Sequence, residues 1–127
     1  MTWSTSRNPD RNPARKCVVL GMKCDSQLEG KRWLELSMME KAGKIRNLRH
    51  HERYPLVVVG MKVCTYESDA DYVENGMHVT EDTKGRRSGP AWSLFRLKAK
   101  LFRALHGYDI SVWPPEIKKP RKKSFGT

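Results

Sequence analysis

The sequence predicts an α/β or mixed α+β domain in which helices cover a central mixed β-sheet. Apolar residues recur at helical spacing over residues 28–45 and again over residues 92–106, which indicates two amphipathic helices. The most apolar stretch, residues 56–64, is rich in β-branched side chains and is typical of strands. Asn75-Gly76 lies between two more strand-like runs and favours a tight hairpin turn, because both residues tolerate positive φ. Elements in this order form a mixed sheet with helices packed on it.

Length and charge indicate one domain that binds a polyanion. A chain of 127 residues can bury one modest core. The formal net charge of +11 and the pI near 9.9 favour nucleic acid as the partner, with an anionic membrane surface as the alternative. No apolar run is long enough to span a bilayer, and no signal segment opens the sequence. We therefore expect neither a membrane-embedded nor a secreted protein.

The three cysteines do not follow a metal-binding pattern. Their spacing matches no known zinc motif, and their odd number does not suggest a disulfide framework. We interpret them as small buried or half-buried apolar residues in a reducing compartment. They are Cys17, Cys24 and Cys64.

Composition also predicts the domain boundaries. Residues 1–16 are polar, basic and interrupted by proline, which predicts a flexible basic arm. Residues 114–127 begin with two prolines and are rich in lysine, which predicts a basic disordered tail. The folded domain is therefore expected at residues 17–113.

The first half of this domain is predicted to contain a strand and a long helix. Residues 17–23 form a strand or a small hairpin broken at Gly21. The spacing of apolar residues predicts a helix over residues 26–42. That helix docks on the sheet either through Trp33, Leu36 and Met39 or through Leu34 and Met38.

The middle and the end of the chain are predicted to alternate between loops, strands and a helix. Residues 46–55 are interpreted as a basic connector, in which the adjacent histidines His50 and His51 point apart and contact solvent or phosphate. Residues 56–64 form two strands that meet near Gly60, or one bent strand. The second helix ends at Gly107, and a last strand follows at residues 109–113.

Residues 66–85 are an island of acidic residues in a basic chain, arranged around the expected hairpin. With Asn75-Gly76 as the central turn residues, Ala70 lies opposite Glu81 and Asp69 lies opposite Asp82. Asp71 and Asp82 are then diagonal neighbours, with Cβ atoms roughly 7–8 Å apart, and can share one cation. Glu81 points to the other face unless a bulge shifts the register. Alternation places one set of side chains on the reactive face: Asp69, Asp71, Asp82 and Lys84.

Carboxylates and a lysine on one face suit metal-dependent phosphodiester hydrolysis. Carboxylates hold a divalent cation, which polarises the phosphoryl oxygen and supplies hydroxide. Oxygen ligands favour Mg²⁺, with Mn²⁺ as a possible substitute, and Lys84 can stabilise charge in the transition state. Glu29, in the first turn of the long helix, is the candidate third carboxylate. Ser26-Gln27-Leu28-Glu29 also matches a capping box, in which Glu29 accepts a hydrogen bond from the Ser26 N–H.

Three segments, in order, resemble a small bacteriophage-type nuclease family. They are Asp-Ser-Gln-Leu-Glu-Gly-Lys-Arg-Trp-Leu-Glu-Leu at 25–36, Ala-Asp-Tyr at 70–72 and Glu-Asp-Thr-Lys-Gly at 81–85. That family is similar to the PD-(D/E)xK superfamily, which includes restriction enzymes and Holliday-junction resolvases. The resemblance implies a restriction-endonuclease-like core in a nuclease domain. It also implies metal ligands and a catalytic lysine at four positions: Glu29, Asp71 and Asp82 as ligands, and Lys84 as the lysine.

The resulting expectation is a Mg²⁺-dependent endodeoxyribonuclease that cuts branched DNA as a homodimer in the cytoplasm of a bacterial host. Two alternatives remain open: a nicking or end-processing nuclease acting on linear or single-stranded DNA, and a non-catalytic basic nucleic-acid-binding protein. The residues expected to bind DNA are Arg86, Arg87, Lys98 and Lys100. Possible auxiliary site residues are Asp69, Glu81, Arg32 and Glu35.

Overall fold

The computed structural model describes residues 16–116, so all but the last residue of the expected arm and most of the expected tail lie outside the described residues. Eight strands and two helices make up this region, which confirms the mixed α/β class. The helices are α1 (Gln27–Lys41) and α2 (Gly89–His106). The strands are β1 (Cys17–Val19), β2 (Met22–Cys24), β3 (Arg46–His50), β4 (Arg53–Val58), β5 (Met61–Glu67), β6 (Ala70–Glu74), β7 (Met77–Thr83) and β8 (Ser111–Trp113).

A four-stranded mixed sheet forms the centre of the fold. Its strand order is β3-β6-β7-β8, with β3, β6 and β7 antiparallel and β8 parallel to β7. The hairpin between β6 and β7 turns at Asn75 and Gly76, with φ of 52° and 77°. Ala70 pairs with Glu81 and Tyr72 pairs with Val79, so the register predicted from the turn is confirmed. Two separate hairpins, β1–β2 and β4–β5, complete the strands.

Helix α1 packs on one face of this sheet. It begins after Ser26, whose Oγ accepts a hydrogen bond from the Glu29 N–H at 3.1 Å. Trp33 and Leu36 are buried, with Met39 beside them, whereas the alternative apolar pair of this helix is exposed. A Cβ at Gly30 would lie 2.7 Å from the Cys17 Sγ, so close packing of the β1–β2 hairpin requires glycine there.

Helix α2 contributes to a second core together with the β4–β5 hairpin. Phe95 and Phe102 are buried against Leu56 and Tyr66. The helix begins three residues before the expected start, because Gly89-Pro90 suits a first helical turn rather than a loop. It ends, as predicted, at Gly107, which has a φ of 80°. Neither helix of residues 16–116 is long and apolar enough to cross a membrane.

The interpretation of residues 46–55 as a connector is wrong. The segment forms β3 and the beginning of β4. Strand β3 is an edge strand of the sheet and most of its side chains are polar and exposed. Its sequence, Arg-Asn-Leu-Arg-His, therefore lacks the apolar alternation that identifies a strand. The apolar segment 56–64 forms two strands that turn at Val59-Gly60, as one of the two predictions stated.

Candidate active site

Asp82 and Lys84 lie together at the end of β7. The Asp82 side chain is 6% exposed, and its Oδ1 is 3.4 Å from the Lys84 Nζ. Its Oδ2 accepts a hydrogen bond of 2.8 Å from the Tyr66 hydroxyl. Burial, together with the charge of Asp82, raises the pKa of Tyr66, so this phenol stays protonated and remains a donor. The Lys84 ammonium also lies 4.6 Å from the ring centroid of Phe95. These contacts hold the Asp82 carboxylate and the Lys84 ammonium side by side.

Asp69 is the second carboxyl group at this end of the sheet. It precedes β6 directly, and its N–H donates to the Glu81 carbonyl, which continues the hairpin ladder toward Asp82. Its Oδ2 accepts a hydrogen bond of 2.7 Å from the Thr83 N–H. Burial raises the pKa of Asp69 to about 9, with the charges of Asp82 and Glu29 adding to the rise. The two buried carboxyl groups therefore repel each other, and this repulsion favours a proton or a cation between them.

Glu29 combines a capping contact with a place beside the acidic pair. Its Oε2 accepts a hydrogen bond of 2.9 Å from the Asp25 N–H, one residue before the N–H that the capping box predicts. Its Oε1 lies 3.0 Å from the His50 Nε2 and 2.8 Å from the His51 Nε2. The charge of Glu29 also contributes to the raised pKa of Asp69. Glu29 therefore both caps α1 and places a negative charge beside Asp69.

The two adjacent histidines converge on this glutamate, which corrects the expectation that they point apart. Their rings stack with centroids 3.6 Å apart. Strand β3 ends at His50, and His51 adopts a left-handed conformation with φ of 54°. The rule that neighbouring side chains point to opposite faces holds inside a strand and fails at this turn. No residue spacing in the sequence indicates the turn, so sequence reasoning missed these two residues.

Asp71 is fully buried and lies in a separate hydrogen-bond network that reaches the exposed His78. His78 Nε2 is 2.6 Å from its Oδ2, and the Thr80 hydroxyl donates to the same oxygen at 2.8 Å. The Tyr54 and Ser68 hydroxyls also donate to this carboxylate. A carboxylate with these donors is satisfied without a cation.

The structure does not gather the three expected ligands around one point. Among residues 16–116, some groups of at least three potential ligands have all their donor atoms within 4.8 Å of one another. Glu29, Asp71 and Asp82 do not form such a group, and neither do Glu29, Asp69 and Asp82. What the fold brings together is the pair Asp69 and Asp82, with Glu29 near enough to act on Asp69 through its charge.

Of the other three auxiliary candidates, Arg32 and Glu81 form a buried ion pair between α1 and β7, and Glu35 is an exposed partner of Arg32. Arg32 Nε and Nη2 donate to the two carboxylate oxygens of Glu81 at 2.9 and 2.8 Å, and Arg32 Nη1 donates to Glu35 at 2.9 Å. Tyr72 donates a further hydrogen bond to Glu81. Burial opposes the charge of Arg32, but the hydrogen bond and charge of Glu81 raise its pKa. Glu81 thus points away from the Asp82 face, as alternation predicted, and its contact with Arg32 positions α1 against β7.

A basic groove begins beside Lys84. It has a volume of about 300 Å³ and includes Arg86, Ser88 and Trp92 in its lining. The N-terminus of α2 also lines the groove, and the first turn of this helix carries no acidic residue. Unpaired N–H groups at a helix N-terminus, together with two cationic side chains, form a site suited to an anion such as phosphate.

The four predicted DNA-binding residues differ in how available they are. Arg86 is exposed and donates to the Ser88 hydroxyl, and Lys100 is exposed on α2. Arg87 donates to the Pro114 carbonyl, and the Lys98 ammonium donates to the Thr65 carbonyl at 3.1 Å. Arg87 and Lys98 are therefore half-buried and bound to backbone carbonyls, whereas Arg86 and Lys100 are exposed.

Comparison with known proteins gives one family. The model of a family described as "Protein of unknown function (DUF1064)" matches residues 10–114. No curated protein and no solved structure matches the chain. The matched segment includes the central sheet, both helices and every residue of the candidate site. The chain therefore belongs to the DUF1064 family.

Proposed function

We propose that this protein is a metal-dependent endonuclease that hydrolyses DNA phosphodiester bonds. The observation that carries the proposal is the Asp69–Asp82 carboxyl pair, with Lys84 beside it, at the start of a basic groove. Two adjacent carboxylates offer only oxygen donors, which fit Mg²⁺ or Mn²⁺ better than a softer metal. A divalent cation would also replace the proton that otherwise offsets the repulsion between these two groups.

The ligand set proposed here differs in two residues from the three ligands that the resemblance implies. Asp69 replaces Asp71, because Asp71 is already satisfied by hydroxyl groups and by His78. The Thr83 N–H and the Tyr66 hydroxyl each leave other lone pairs of Asp69 and Asp82 free for a cation. Glu29 is not a ligand in this proposal; it lies beside the carboxyl pair and acts on Asp69 through its charge.

Each residue of the site has a role in hydrolysis that follows from its contacts. When bound, the cation would polarise the phosphoryl oxygen and lower the pKa of a bound water. Tyr66 holds Asp82 in one orientation, and the Thr83 N–H does the same for Asp69. Lys84, 30% exposed and 3.4 Å from Asp82, is free to stabilise negative charge that develops on the phosphate.

The basic groove would hold the DNA backbone next to the carboxyl pair. Arg86 and the N–H groups at the start of α2 can bind the adjacent phosphate. Arg96 and Lys100 line a second open surface further along α2. Such contacts position the backbone without reading bases, and they make binding strongly dependent on salt. DNA shape is therefore the proposed determinant, with branched DNA such as a four-way junction as the substrate class.

Symmetric cleavage of both strands of a junction requires two active sites, so we propose a homodimer. The β4–β5 hairpin supports this assembly, because apolar side chains cover its surface near the turn. Val59 at the turn is 99% exposed, and β4 and β5 pair only with each other within residues 16–116. An exposed apolar patch on an unpaired strand edge is a common protein-binding surface. Its exposed residues are Val57, Val58, Val59, Met61 and Val63.

A panel of DNA substrates tests the activity. A four-way junction, a flap, a nicked duplex and a single strand are incubated with the full-length protein in Mg²⁺ or in EDTA. We expect Mg²⁺-dependent cleavage that is fastest on the junction and is lost in Asp82→Asn and Lys84→Met, while DNA binding survives. Asp109→Asn and Lys44→Met make the same charge changes at exposed positions outside the site and should cleave normally.

The same panel separates the alternatives. Preferred cleavage of the flap, the nicked duplex or the single strand would indicate a nicking or end-processing nuclease. Binding that is insensitive to EDTA, with no cleavage of any substrate, would indicate a non-catalytic nucleic-acid-binding protein. In that case the acidic pair would have only a structural role.

A further inference from the structure

A second cluster of metal-binding side chains lies on the α1 side of the sheet, centred on one oxygen atom. The Glu29 Oε1 lies 3.0 Å from the His50 Nε2 and 2.8 Å from the His51 Nε2. Cys24 and Asp25, at the end of β2 and just after it, complete the cluster. Among residues 16–116, Cys24, Glu29 and His50 have their ligand atoms within 4.8 Å of one another, and so do Asp25, Glu29 and His51.

The distances and the donor types suit a transition metal. Two ligand atoms that each bind Zn²⁺ at about 2.0–2.1 Å, with a tetrahedral angle between them, lie roughly 3.3 Å apart. The separations between the Glu29 oxygen and the two imidazole nitrogens are within about half an ångström of that value. Thiol and imidazole donors select Zn²⁺ and similar ions over Mg²⁺. This donor set therefore differs in kind from the Asp69–Asp82 pair.

A further contact holds His51 in the orientation of a metal ligand. Its Nδ1 lies 3.4 Å from the Glu67 Oε1, while its Nε2 faces Glu29. Metal-binding histidines commonly donate the N–H that does not face the metal to a carboxylate, which fixes the ring and its tautomer. The tautomer with its proton on Nδ1 donates to Glu67 and leaves the Nε2 lone pair free for an ion.

Burial closes the cluster on one side and leaves it open on the other. Cys24, Glu29 and His50 are almost completely buried between α1 and the neighbouring strands. His51 is 24% exposed, and Asp25 is exposed, so an ion can enter from the side of these two residues. An ion at this point would tie together the end of β2, the first turn of α1 and the end of β3.

We propose that one transition-metal ion of the Zn²⁺ class binds at the Glu29 carboxylate, between Cys24 and His50 on its buried side and Asp25 and His51 on its open side. Glu29 belongs to this cluster through direct contacts and to the Asp69–Asp82 pair only through its charge. The proposal therefore does not rest on nuclease activity. It replaces the interpretation of Cys24 as only a small apolar residue.

Titration of the metal-free full-length protein with Co²⁺ and with Zn²⁺ tests the site. Visible absorption reports Co²⁺ coordination, and a chromogenic chelator reports competition for Zn²⁺. We expect about one ion per chain, and affinity lowered at least about tenfold in His50→Gln and in His51→Gln. His106→Gln and Cys64→Ser, the matched controls, should bind as the wild type does. Cys24→Ser should remove the thiolate-to-cobalt absorption band.

Further variants keep the test decisive. Glu67→Gln should weaken binding about tenfold while the cobalt spectrum remains, because it acts through His51. If circular dichroism shows that His50→Gln is unfolded, the metal affinities of His51→Gln and Asp25→Asn, at more exposed positions, test the site instead. Absence of Co²⁺ and Zn²⁺ binding in the wild type would overturn the proposal, and so would unchanged affinity in both histidine variants. Asp82→Asn should bind Zn²⁺ normally, so failure of this site and failure of the nuclease site are distinguishable.

Discussion

Replacing Arg32 with methionine would leave Glu81 buried without its cation. The Glu81 side chain is 2% exposed, the Arg32 side chain is 10% exposed, and two hydrogen bonds of 2.8–2.9 Å join them. Removing one partner of a buried ion pair costs about 3–5 kcal/mol, because the remaining charge stays desolvated. The Tyr72 hydroxyl still donates to Glu81. We therefore expect Arg32→Met to lower the free energy of unfolding by about 3 kcal/mol, the lower end of that range.

The assay is urea denaturation of the two single variants and the double variant. Glu81→Met alone should also destabilise, because it leaves the guanidinium without its buried partner. The double variant should be destabilised much less than the sum of the two single variants, with a coupling energy of at least about 2 kcal/mol. Glu35→Met, which removes only the exposed partner of Arg32, should cost less than about 1 kcal/mol. Additive costs, or a cost below about 1 kcal/mol for Arg32→Met, would refute the view that this pair ties α1 to β7.

Three other measurements test separate parts of the structure. Asp71→Asn should destabilise by about 1–3 kcal/mol in urea denaturation, because its amide cannot accept from all the donors around it; an unchanged midpoint would contradict the buried network. Gly30→Ala should lower Tm despite the better helix propensity of alanine, since its Cβ would lie 2.7 Å from the Cys17 Sγ; a higher Tm would contradict that packing. In EDTA, the stability that the Asp69 proton contributes is full below the ordinary pKa of 3.8 and is lost progressively as pH rises to about 9. Urea midpoints from pH 6 to 9.5, a range spanning most of that loss, should fall less in Asp69→Asn than in the wild type, and parallel curves would count against the raised pKa.

The hairpin and its register could be predicted because the signals are local. Asn75-Gly76 specifies the turn, and alternation then decides which face each side chain occupies. The same rule placed Glu81 on the face opposite Asp82, where it meets Arg32 of α1. Helix α1 was also predictable within one residue at each end, because its cap and its apolar stripe lie within the segment itself.

The rest depends on contacts between distant parts of the chain. For example, one of the donors that occupy the Asp71 carboxylate is Tyr54, which lies on the distant β4 strand. The convergence of the histidines depends on the left-handed turn at His51, for which the sequence offers no glycine or asparagine as a sign. Strand β3 was missed because an edge strand can be polar on both faces.

Single-turnover cleavage of a four-way junction in Mg²⁺ tests the central proposal most directly, with Asp69→Asn, Asp71→Asn and Asp82→Asn compared at saturating protein. We predict that Asp69→Asn and Asp82→Asn slow cleavage by on the order of a hundredfold or more while junction binding is retained, and that Asp71→Asn, if folded, slows it far less. Wild-type rates in Asp82→Asn would contradict the proposed site. Loss of cleavage in folded Asp71→Asn, with Asp69→Asn fully active, would instead assign the second ligand to Asp71.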